Sequence, residues 1–450
     1  MNDLSQHQRE ELEKALQAPI GILAGSPGTG KTYAAARLIA RIIDLCGQDC
    51  VAVAAPTGKA AVRITEALEG YGIKKSATTI HRLLGVASRS AGDGWGFTHD
   101  EANPLQKKWI VVDESSMIDT DLMASLLRAC APGTHLLLIG DTNQLPPVGH
   151  GAPLRDMIAA GVPTGELVKI ERNWGRIVQA CADIRDGKRW RASKELDPDA
   201  GENLAILPAA NGQAAANTIC ETIHKLAAKK LFDPIWDVQV IVAVNKKSEL
   251  SRRDLNKRLQ GELNPGGTRI GSNPFRVGDK VVCLKNSLMP VVDDAPADCN
   301  RDAIDSKVFV ANGELARVVA VAEKWTRASL DNPKRLVVLP RGTDANEDEN
   351  GGEDSDAAAA TSTGCNWDLA YAISCHKSQG SEFPCVIVAL DEYPGARRLC
   401  DRSWIYTAIS RAKQVCFMVG KKSVADGMCF QSSITKRKTF LKELIQGTIP

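Results

Sequence analysis

Short apolar runs alternate with helix-like stretches along the first part of the chain. Each run is bounded by turn residues, which is typical of buried strands: Ile20–Ala24, Val51–Ala55, Trp109–Val112 and His135–Ile139. Strands that alternate with helices predict a parallel sheet covered by helices. We therefore expect residues 1–165 to form an α/β domain.

The alternation stops over about residues 85–108. Three glycines, Gly92, Gly94 and Gly96, surround the aromatic residues Trp95 and Phe97 in a segment too polar for a core. This pattern predicts a small inserted hairpin or loop within the first domain.

A second α/β block is predicted over residues 166–264 and 365–450, with strands at Val238–Val244, Val386–Leu390 and Gln414–Val419. Residues 265–364 interrupt it with short strand-like runs, which predict a small β-barrel insert. These runs are Lys280–Leu284, Leu315–Val321 and Arg335–Leu339.

Residues 343–363 lie within this insert and are strongly acidic. The stretch Asp344 to Asp356 holds seven acidic residues and no basic one, and runs of alanine and threonine follow it. No core absorbs such a segment, so we expect a solvated, disordered loop rather than an acidic partner-binding tail.

Composition narrows the class of protein. A chain of 450 residues is expected to hold two or three domains. A net charge of +2 excludes binding of nucleic acid by bulk basicity, so any such binding needs a local groove. The 13 scattered cysteines, the polar N-terminus without a leader and the lack of a long apolar run predict a soluble cytoplasmic protein with reduced thiols and no membrane contact.

The segment Gly25–Thr32 fits the pattern GxxxxGK[ST], follows an apolar strand and opens a helix. Glycines in such a loop let backbone N–H groups converge on phosphate oxygens at a helix N-terminus. Lys31 then pairs with the β- and γ-phosphates and Thr32 binds magnesium. The pattern predicts an ATP site with the residues Gly28, Thr29, Gly30, Lys31 and Thr32.

A carboxylate from another strand is needed to complete the magnesium site. Asp113 ends the run Trp109–Val112, and Glu114 follows it. One carboxylate can bind Mg²⁺ while its neighbour polarises the attacking water. A strand that ends in Asp-Glu is by itself more often a surface turn, but beside a phosphate loop it indicates hydrolysis.

The order of further segments resembles the RecD-like and Dda-like helicases of superfamily one, the branch that moves 5′ to 3′ on single-stranded DNA. The resemblance spans nearly the whole chain and rests on motifs Q, Ia, Ib, II, III, V and VI. In that order they are Leu4–Gln8, Ala55–Ala61, Thr78–Leu84, Asp113–Met117, Gly140–Gly149, Tyr371–Phe383 and Tyr406–Lys413.

The resemblance implies two RecA-like P-loop NTPase domains, with an SH3-like β-barrel insert in the second. It also implies roles around ATP: Gln8 reads the adenine edge, Gln144 senses the γ-phosphate, and Arg411 is an arginine finger. Gly380 and Glu382 of motif V are expected at the nucleotide. Arg172 is a second cationic contact in a weaker motif IV, where Asn173 replaces the family's usual glutamine.

Motifs Ia, Ib, III and V also hold the strand in this family. Single strands are held through phosphates by hydroxyls, backbone N–H groups and basic side chains. The strand-binding candidates are Pro56, Thr57, His81, Val148, His376 and Ser378. Trp95 or Phe97 in the glycine-flanked insert is the candidate wedge against the terminal base pair, although an aromatic residue in a loop more often serves packing.

The interpretation is an ATP- and Mg²⁺-dependent DNA helicase, 5′ to 3′, bacterial or phage-encoded and functional as a monomer. Its expected partners are single-stranded DNA, duplex junctions and replication or recombination proteins. Three alternatives stay open: a strand translocase that does not unwind, an RNA-dependent member of the superfamily, and a binding module with a vestigial hydrolytic site.

Overall fold

The computed structural model describes residues 4–88, 95–169, 175–291, 307–330, 334–340, 366–437 and 439–448. The acidic segment 343–363 and Arg172 lie outside these residues. No helix in the described ranges is long and apolar enough to cross a membrane.

The first sheet has six parallel strands in the order β3-β2-β6-β7-β1-β8. A separate antiparallel pair, β4 and β5, lies within the segment predicted as a hairpin. The strands are β1 Ile20–Gly25, β2 Val51–Ala55, β3 Thr78–Thr79, β4 Val86–Ser88, β5 Trp95–Phe97, β6 Trp109–Val112, β7 His135–Gly140 and β8 Thr164–Leu167.

Helices cover this sheet, and the alternating apolar positions of both element types form its core. The helices are α1 Gln6–Ala15, α2 Lys31–Cys46, α3 Gly58–Gly70, α4 Ile80–Leu84, α5 Thr120–Arg128 and α6 Pro153–Ala159. Leu167 pairs with Gly25, so the first sheet extends beyond the boundary expected at residue 165.

The second sheet has five parallel strands in the order β18-β10-β19-β20-β9. They are β9 Leu204–Leu207, β10 Val238–Val242, β18 Ala372–Ser374, β19 Phe383–Ala389 and β20 Ala412–Val419. Its helices are α7 Arg176–Arg185, α8 Gly212–Ala228, α9 Arg252–Leu263, α10 Cys375–Ser378, α11 Pro394–Leu399, α12 Arg402–Ile409 and α13 Lys422–Cys429. A further helix, α14 Leu441–Ile445, packs against α6 beside the first sheet.

The first parallel sheet with its helices is the first unit, and the second parallel sheet with its helices is the second unit. An antiparallel sheet in the order β16-β15-β14-β11-β17 interrupts the second unit, and a two-stranded ribbon, β12-β13, lies beside it. The strands are β11 Lys280–Cys283, β12 Ser287–Pro290, β13 Lys307–Val310, β14 Leu315–Val321, β15 Trp325–Leu330, β16 Arg335–Pro340 and β17 Trp367–Leu369. Because β17 pairs with β11, the antiparallel sheet extends past residue 364, the end expected for the insert.

The C-terminal segment returns to the first unit. Arg437 donates from Nη1 to the carbonyl oxygens of Gly149 and Gly151, at 2.8 and 2.9 Å. Leu441 packs against the core of the first sheet. The chain after residue 433 therefore belongs by its contacts to the first unit, although the sequence placed it in the second.

Candidate functional site

The loop between β1 and α2 has a backbone that only glycine adopts readily. Gly28 and Gly30 have φ of +82° and +81°, in the left-handed region that L side chains rarely enter. A Cβ atom on Gly30 would lie 2.6 Å from Nε2 of Gln8. Glycine at this position therefore allows the loop to lie directly against Gln8.

Helix α2 begins at Lys31, and no side chain caps its N-terminus. The N–H groups of its first turn and the helix dipole together favour an anion at this end. Nζ of Lys31 donates to the carbonyl oxygens of Gly25 and Ser26, at 2.6 and 3.0 Å. The Thr29 hydroxyl also donates to Ser26, and Thr29 is 1% exposed, so Thr29 closes the loop rather than facing outward.

A cavity of about 480 Å³ lies in front of this loop. The first unit forms most of its wall, and two residues of the second unit complete it. Of the predicted site residues, the wall contains Gln8, Gly28, Gly30, Lys31, Thr32, Asp113, Glu114, Gln144, Glu382 and Arg411. Residues from four separate motifs of the first unit thus meet residues of motifs V and VI at one place.

Asp113 and Glu114 follow β6 and face the cavity. Burial, and then the neighbouring carboxylate of Glu114, raise the pKa of Asp113 to about 6. Glu114 has a φ of +52° although it is not glycine, and its N–H donates to Oδ1 of Asp113 at 2.8 Å. A strained backbone of this kind persists where the surrounding structure fixes it, and here it holds two carboxylates side by side.

The loop after β7 connects the two units. Oδ2 of Asp141 accepts a hydrogen bond from the Tyr406 hydroxyl at 2.8 Å, and the N–H of Leu145 donates to Oγ1 of Thr407 at 2.9 Å. Between these two contacts lies Gln144, which is buried and has an Oε1 atom without a hydrogen-bond partner among the described residues. An unpaired buried carbonyl oxygen is costly, and Gln144 faces the cavity, where a ligand can satisfy it.

Arg411 is 2% exposed and held by its own unit. Its guanidinium donates to the carbonyl oxygen of Thr407 at 3.0 Å, to Oγ of Ser410 at 3.0 Å and to the carbonyl oxygen of Ser381 at 3.3 Å. These three contacts fix a cation at the wall of the cavity that the phosphate loop also lines.

The sequence reasoning missed Arg63. It lines the cavity, pairs through Nη2 with Oε1 of Glu382 at 2.9 Å, and donates from Nη1 to the carbonyl oxygen of Gly380 at 3.1 Å. Glu382 is thus engaged by an arginine of the first unit, and Gly380 touches that arginine rather than the cavity. On α3 the cavity-lining residues Ala60, Arg63, Ile64 and Ala67 recur at helical spacing, but the sequence does not show that this face of the helix meets the cavity.

A divalent cation fits the residues present. Thr32, with a hydroxyl group, and Asp113, with a carboxylate, line the same cavity, and oxygen donors of these types are the ligands that Mg²⁺ takes beside substrate phosphates.

The strand-binding candidates lie outside this cavity. Val148 is 72% exposed and His81 is exposed, whereas Thr57 caps α3 by accepting from the N–H of Ala60. Pro56 and His376 are half-buried. Ser378 differs from the expectation, because it is fully buried and its hydroxyl donates to the carbonyl oxygen of Cys375 at 2.7 Å. In this conformation Ser378 does not reach a strand phosphate.

Of the two wedge candidates, Phe97 is half-buried against the core of the first sheet, with its ring 5.8 Å from that of His81. The backbone of Trp95 lies in β5, and its side chain is outside the described residues. Arg172 is also outside them, so Arg411 is the expected cation of the second unit that the described residues place at the cavity.

Two family models match the chain. Residues 8–150 match an AAA domain, and residues 369–419 match a UvrD-like helicase C-terminal domain. The two matches include the phosphate loop and the segments that carry Glu382 and Arg411.

The chain is also similar to characterised helicases. It is 31% identical to the ATP-dependent RecD2 DNA helicase of Deinococcus radiodurans, over 93% of this chain and 49% of that one. It is 29% identical to the RecBCD enzyme subunit RecD of Mycolicibacterium smegmatis, over 93% and 71% respectively. The chain therefore spans about half the length of RecD2. Its fold matches that of the Pif1 helicase from Bacteroides in complex with ADP-AlF3 and ssDNA, with a TM-score of 0.53, 18% identity and 96% coverage of both chains.

Proposed function

The chain is a relative of the RecD-type helicases of superfamily 1, and from this premise we propose that it is an ATP-driven DNA helicase. One observation carries the proposal. The cavity in front of the phosphate loop is closed by Lys31 and Gln144 from one unit and by Arg411 from the other. A nucleotide bound there contacts both units, so its hydrolysis changes how they are held together.

The residues of the cavity have separate roles in ATP binding and hydrolysis. Lys31 and the N-terminus of α2 bind the phosphates, and Gln8 reads the base. Glu114 polarises the attacking water, and Arg411 stabilises the charge that develops on the γ-phosphate. Thr32 and Asp113 would hold Mg²⁺, which would neutralise phosphate charge. Gln144 passes the state of the γ-phosphate to the contacts of Asp141 and Leu145 with α12.

The strand is proposed to cross the surface that holds Pro56, Thr57, His81, Val148 and His376. Trp95 and Phe97 in β5 are the wedge candidates, and Trp95 is the better of the two because Phe97 packs against the core. The antiparallel sheet corresponds in this proposal to the SH3-like insert. Translocation is 5′ to 3′, the chain acts as a monomer, and DNA replication or recombination proteins are the expected partners.

ATP hydrolysis is the first test. Turnover is measured with no polymer, with single-stranded DNA and with RNA of the same length, for the wild-type chain and for Lys31→Ala. The proposal expects stimulation by DNA that disappears in Lys31→Ala. Equal stimulation by RNA would favour an RNA-dependent motor, and no stimulation by either polymer would contradict the proposal.

Unwinding is tested separately on duplexes that carry a 5′ or a 3′ single-stranded tail. Strand separation that requires the 5′ tail supports the helicase. DNA-stimulated hydrolysis that displaces a protein block but separates no duplex would favour the translocase instead. The double variant Trp95→Ala with Phe97→Ala is expected to lose unwinding and keep hydrolysis.

A further inference from the structure

A fully buried lysine lies between the antiparallel sheet and the second parallel sheet. Lys280 in β11 is 0% exposed, and its Nζ is 3.5 Å from the carbonyl oxygen of Val238, at the outer limit of a hydrogen bond. Two aromatic rings lie beside it, with centroids at 5.7 Å for Trp236 and 5.4 Å for Phe383. Rings at these distances stabilise a desolvated cation.

Cations and rings alternate on both sides of Lys280. Arg317, its cross-strand partner in β14, lies 4.4 Å from the Trp236 ring. Lys59 in α3 lies 5.9 Å from the Phe383 ring, and its buried Nζ has no hydrogen-bond partner among the described residues. The row Arg317, Trp236, Lys280, Phe383 and Lys59 therefore runs from the antiparallel sheet to the first unit.

Phe383 is hydrogen-bonded to a residue that lines the nucleotide cavity. Its N–H donates to the carbonyl oxygen of Arg411 at 2.8 Å. The residue before it, Glu382, pairs with Arg63, and Ser381 accepts from the Arg411 guanidinium. A displacement of the Phe383 ring therefore moves the segment that holds both cavity residues of the second unit.

We infer that Lys280 is a positioning residue for the nucleotide cavity, which acts through Phe383 on Arg411 and Glu382 and which opposes the approach of Lys59. The inference rests on the proposed function, because it assumes that the cavity closes on a nucleotide. Two ammonium groups beside one ring repel each other, so α3 approaches β19 more readily when Lys280 is neutral.

The charge of Lys280 then links closure to pH. Burial, and then Lys59, lower the pKa of Lys280 to about 7. If Lys59 withdraws, burial still lowers this pKa but the repulsion from Lys59 is lost, so the pKa of Lys280 rises and the closed arrangement binds fewer protons than the open one. Closure is consequently favoured as pH rises above about 7. The charged groups that face the row from the packed elements are Lys59, Arg63, Asp233, Asp237, Glu314, Arg317 and Arg411.

The test is the affinity for a fluorescent ATP analogue with Mg²⁺ between pH 6.5 and pH 8.5. ATP itself titrates in this range, so the readout is the ratio of wild-type affinity to that of Lys280→Met. We expect this ratio to rise about threefold to tenfold over the range. The side chain of Lys225 is 75% exposed, and Lys225→Met should follow the wild type throughout.

Two further variants separate positioning from folding. Lys280→Arg keeps a charge at every pH and should bind weakly with a flat profile, and Lys59→Met should bind tightly with a flattened one. Thermal unfolding identifies a variant that does not fold. If Lys280→Met folds and keeps the wild-type pH profile, the inference about Lys280 is wrong. If hydrolysis is still stimulated by DNA, the helicase proposal stands. A Lys280-dependent profile without DNA stimulation would count against the helicase alone, and no nucleotide binding by the wild type would overturn both.

Discussion

Glu114 combines an unfavourable backbone with a position at the cavity wall. A left-handed conformation costs a residue other than glycine roughly 1–3 kcal/mol, and the neighbouring contacts of Asp113 hold it there. We expect Glu114→Gln to keep this backbone and nucleotide binding but to lower turnover about 10²- to 10⁴-fold, because the amide cannot polarise the attacking water.

The measurement is kcat with saturating single-stranded DNA, together with the dissociation constant of the nucleotide. Asp121→Asn, at an exposed position in the first turn of α5, is the matched control and should be unchanged. If Glu114→Gln turned over ATP at the wild-type rate, Glu114 would have no role in hydrolysis.

Arg63 is one of the residues through which the two units touch near the cavity. Its side chain is 39% exposed, so its ion pair with Glu382 is partly screened by solvent. We expect Arg63→Gln to weaken nucleotide binding about threefold to tenfold, in line with a net loss of about 0.5–1.5 kcal/mol. In a double-mutant cycle, Glu382→Gln should add little to Arg63→Gln. Fully additive effects would mean that the pair does not couple the units.

At the scale of elements, the hydrogen bond from Tyr406 to Asp141 ties α12 to the loop after β7. Both residues are nearly fully buried, and burial raises the pKa of Tyr406 well above its ordinary value, so the hydroxyl stays a donor. Tyr406→Phe leaves the carboxylate short of a donor and should lower the free energy of unfolding by about 1–3 kcal/mol. Urea unfolding measures this loss.

The half-buried Tyr393 lies before α11, outside the cavity wall, and Tyr393→Phe is the control for that measurement. Equal stability of the two variants would show that the contact across the units contributes nothing to the fold.

Elements with a local signal were predictable. The apolar runs Ile20–Ala24, Val51–Ala55 and Trp109–Val112 are strands of the first parallel sheet, because their β-rich composition and turn residues act over a few positions. The parallel α/β class is confirmed, whereas the SH3-like identity of the antiparallel sheet stays a prediction. The pairing of β17 with β11 could not be read from the sequence, because it joins segments more than 80 residues apart through backbone hydrogen bonds that leave no pattern.

The cavity was predictable for a similar reason. Lys31, Asp113 and Glu114 follow buried strands, and the carboxyl ends of parallel strands meet at one edge of a sheet. Arg63 and the burial of Ser378 were not predictable, because both depend on how α3 and α10 pack in three dimensions. An isolated arginine is usually a solvated surface residue, and only its contact with Glu382 distinguishes Arg63.

At the scale of the whole molecule, Arg437 holds the loop that carries Val148. Arg437→Ala removes two hydrogen bonds to the carbonyl oxygens of Gly149 and Gly151. We expect this change to weaken single-stranded DNA binding several-fold and to leave nucleotide binding unchanged, since Arg437 does not line the cavity. Fluorescence anisotropy with a labelled oligonucleotide measures the effect, and Arg398→Ala on the exposed side of α11 is the control. If Arg437→Ala also lost nucleotide affinity, the expected effect on DNA binding alone would be contradicted.

The return of Arg437 to Gly149 spans 288 positions along the chain. Residues so far apart cannot make contact until the chain has been synthesised past residue 437. During synthesis at the ribosome the first sheet therefore emerges long before the segment that holds the loop after β7. Under the proposed function, we expect a nascent chain that ends before residue 437 to hold the loop of Val148 less firmly, and therefore to bind DNA only after that residue has been translated.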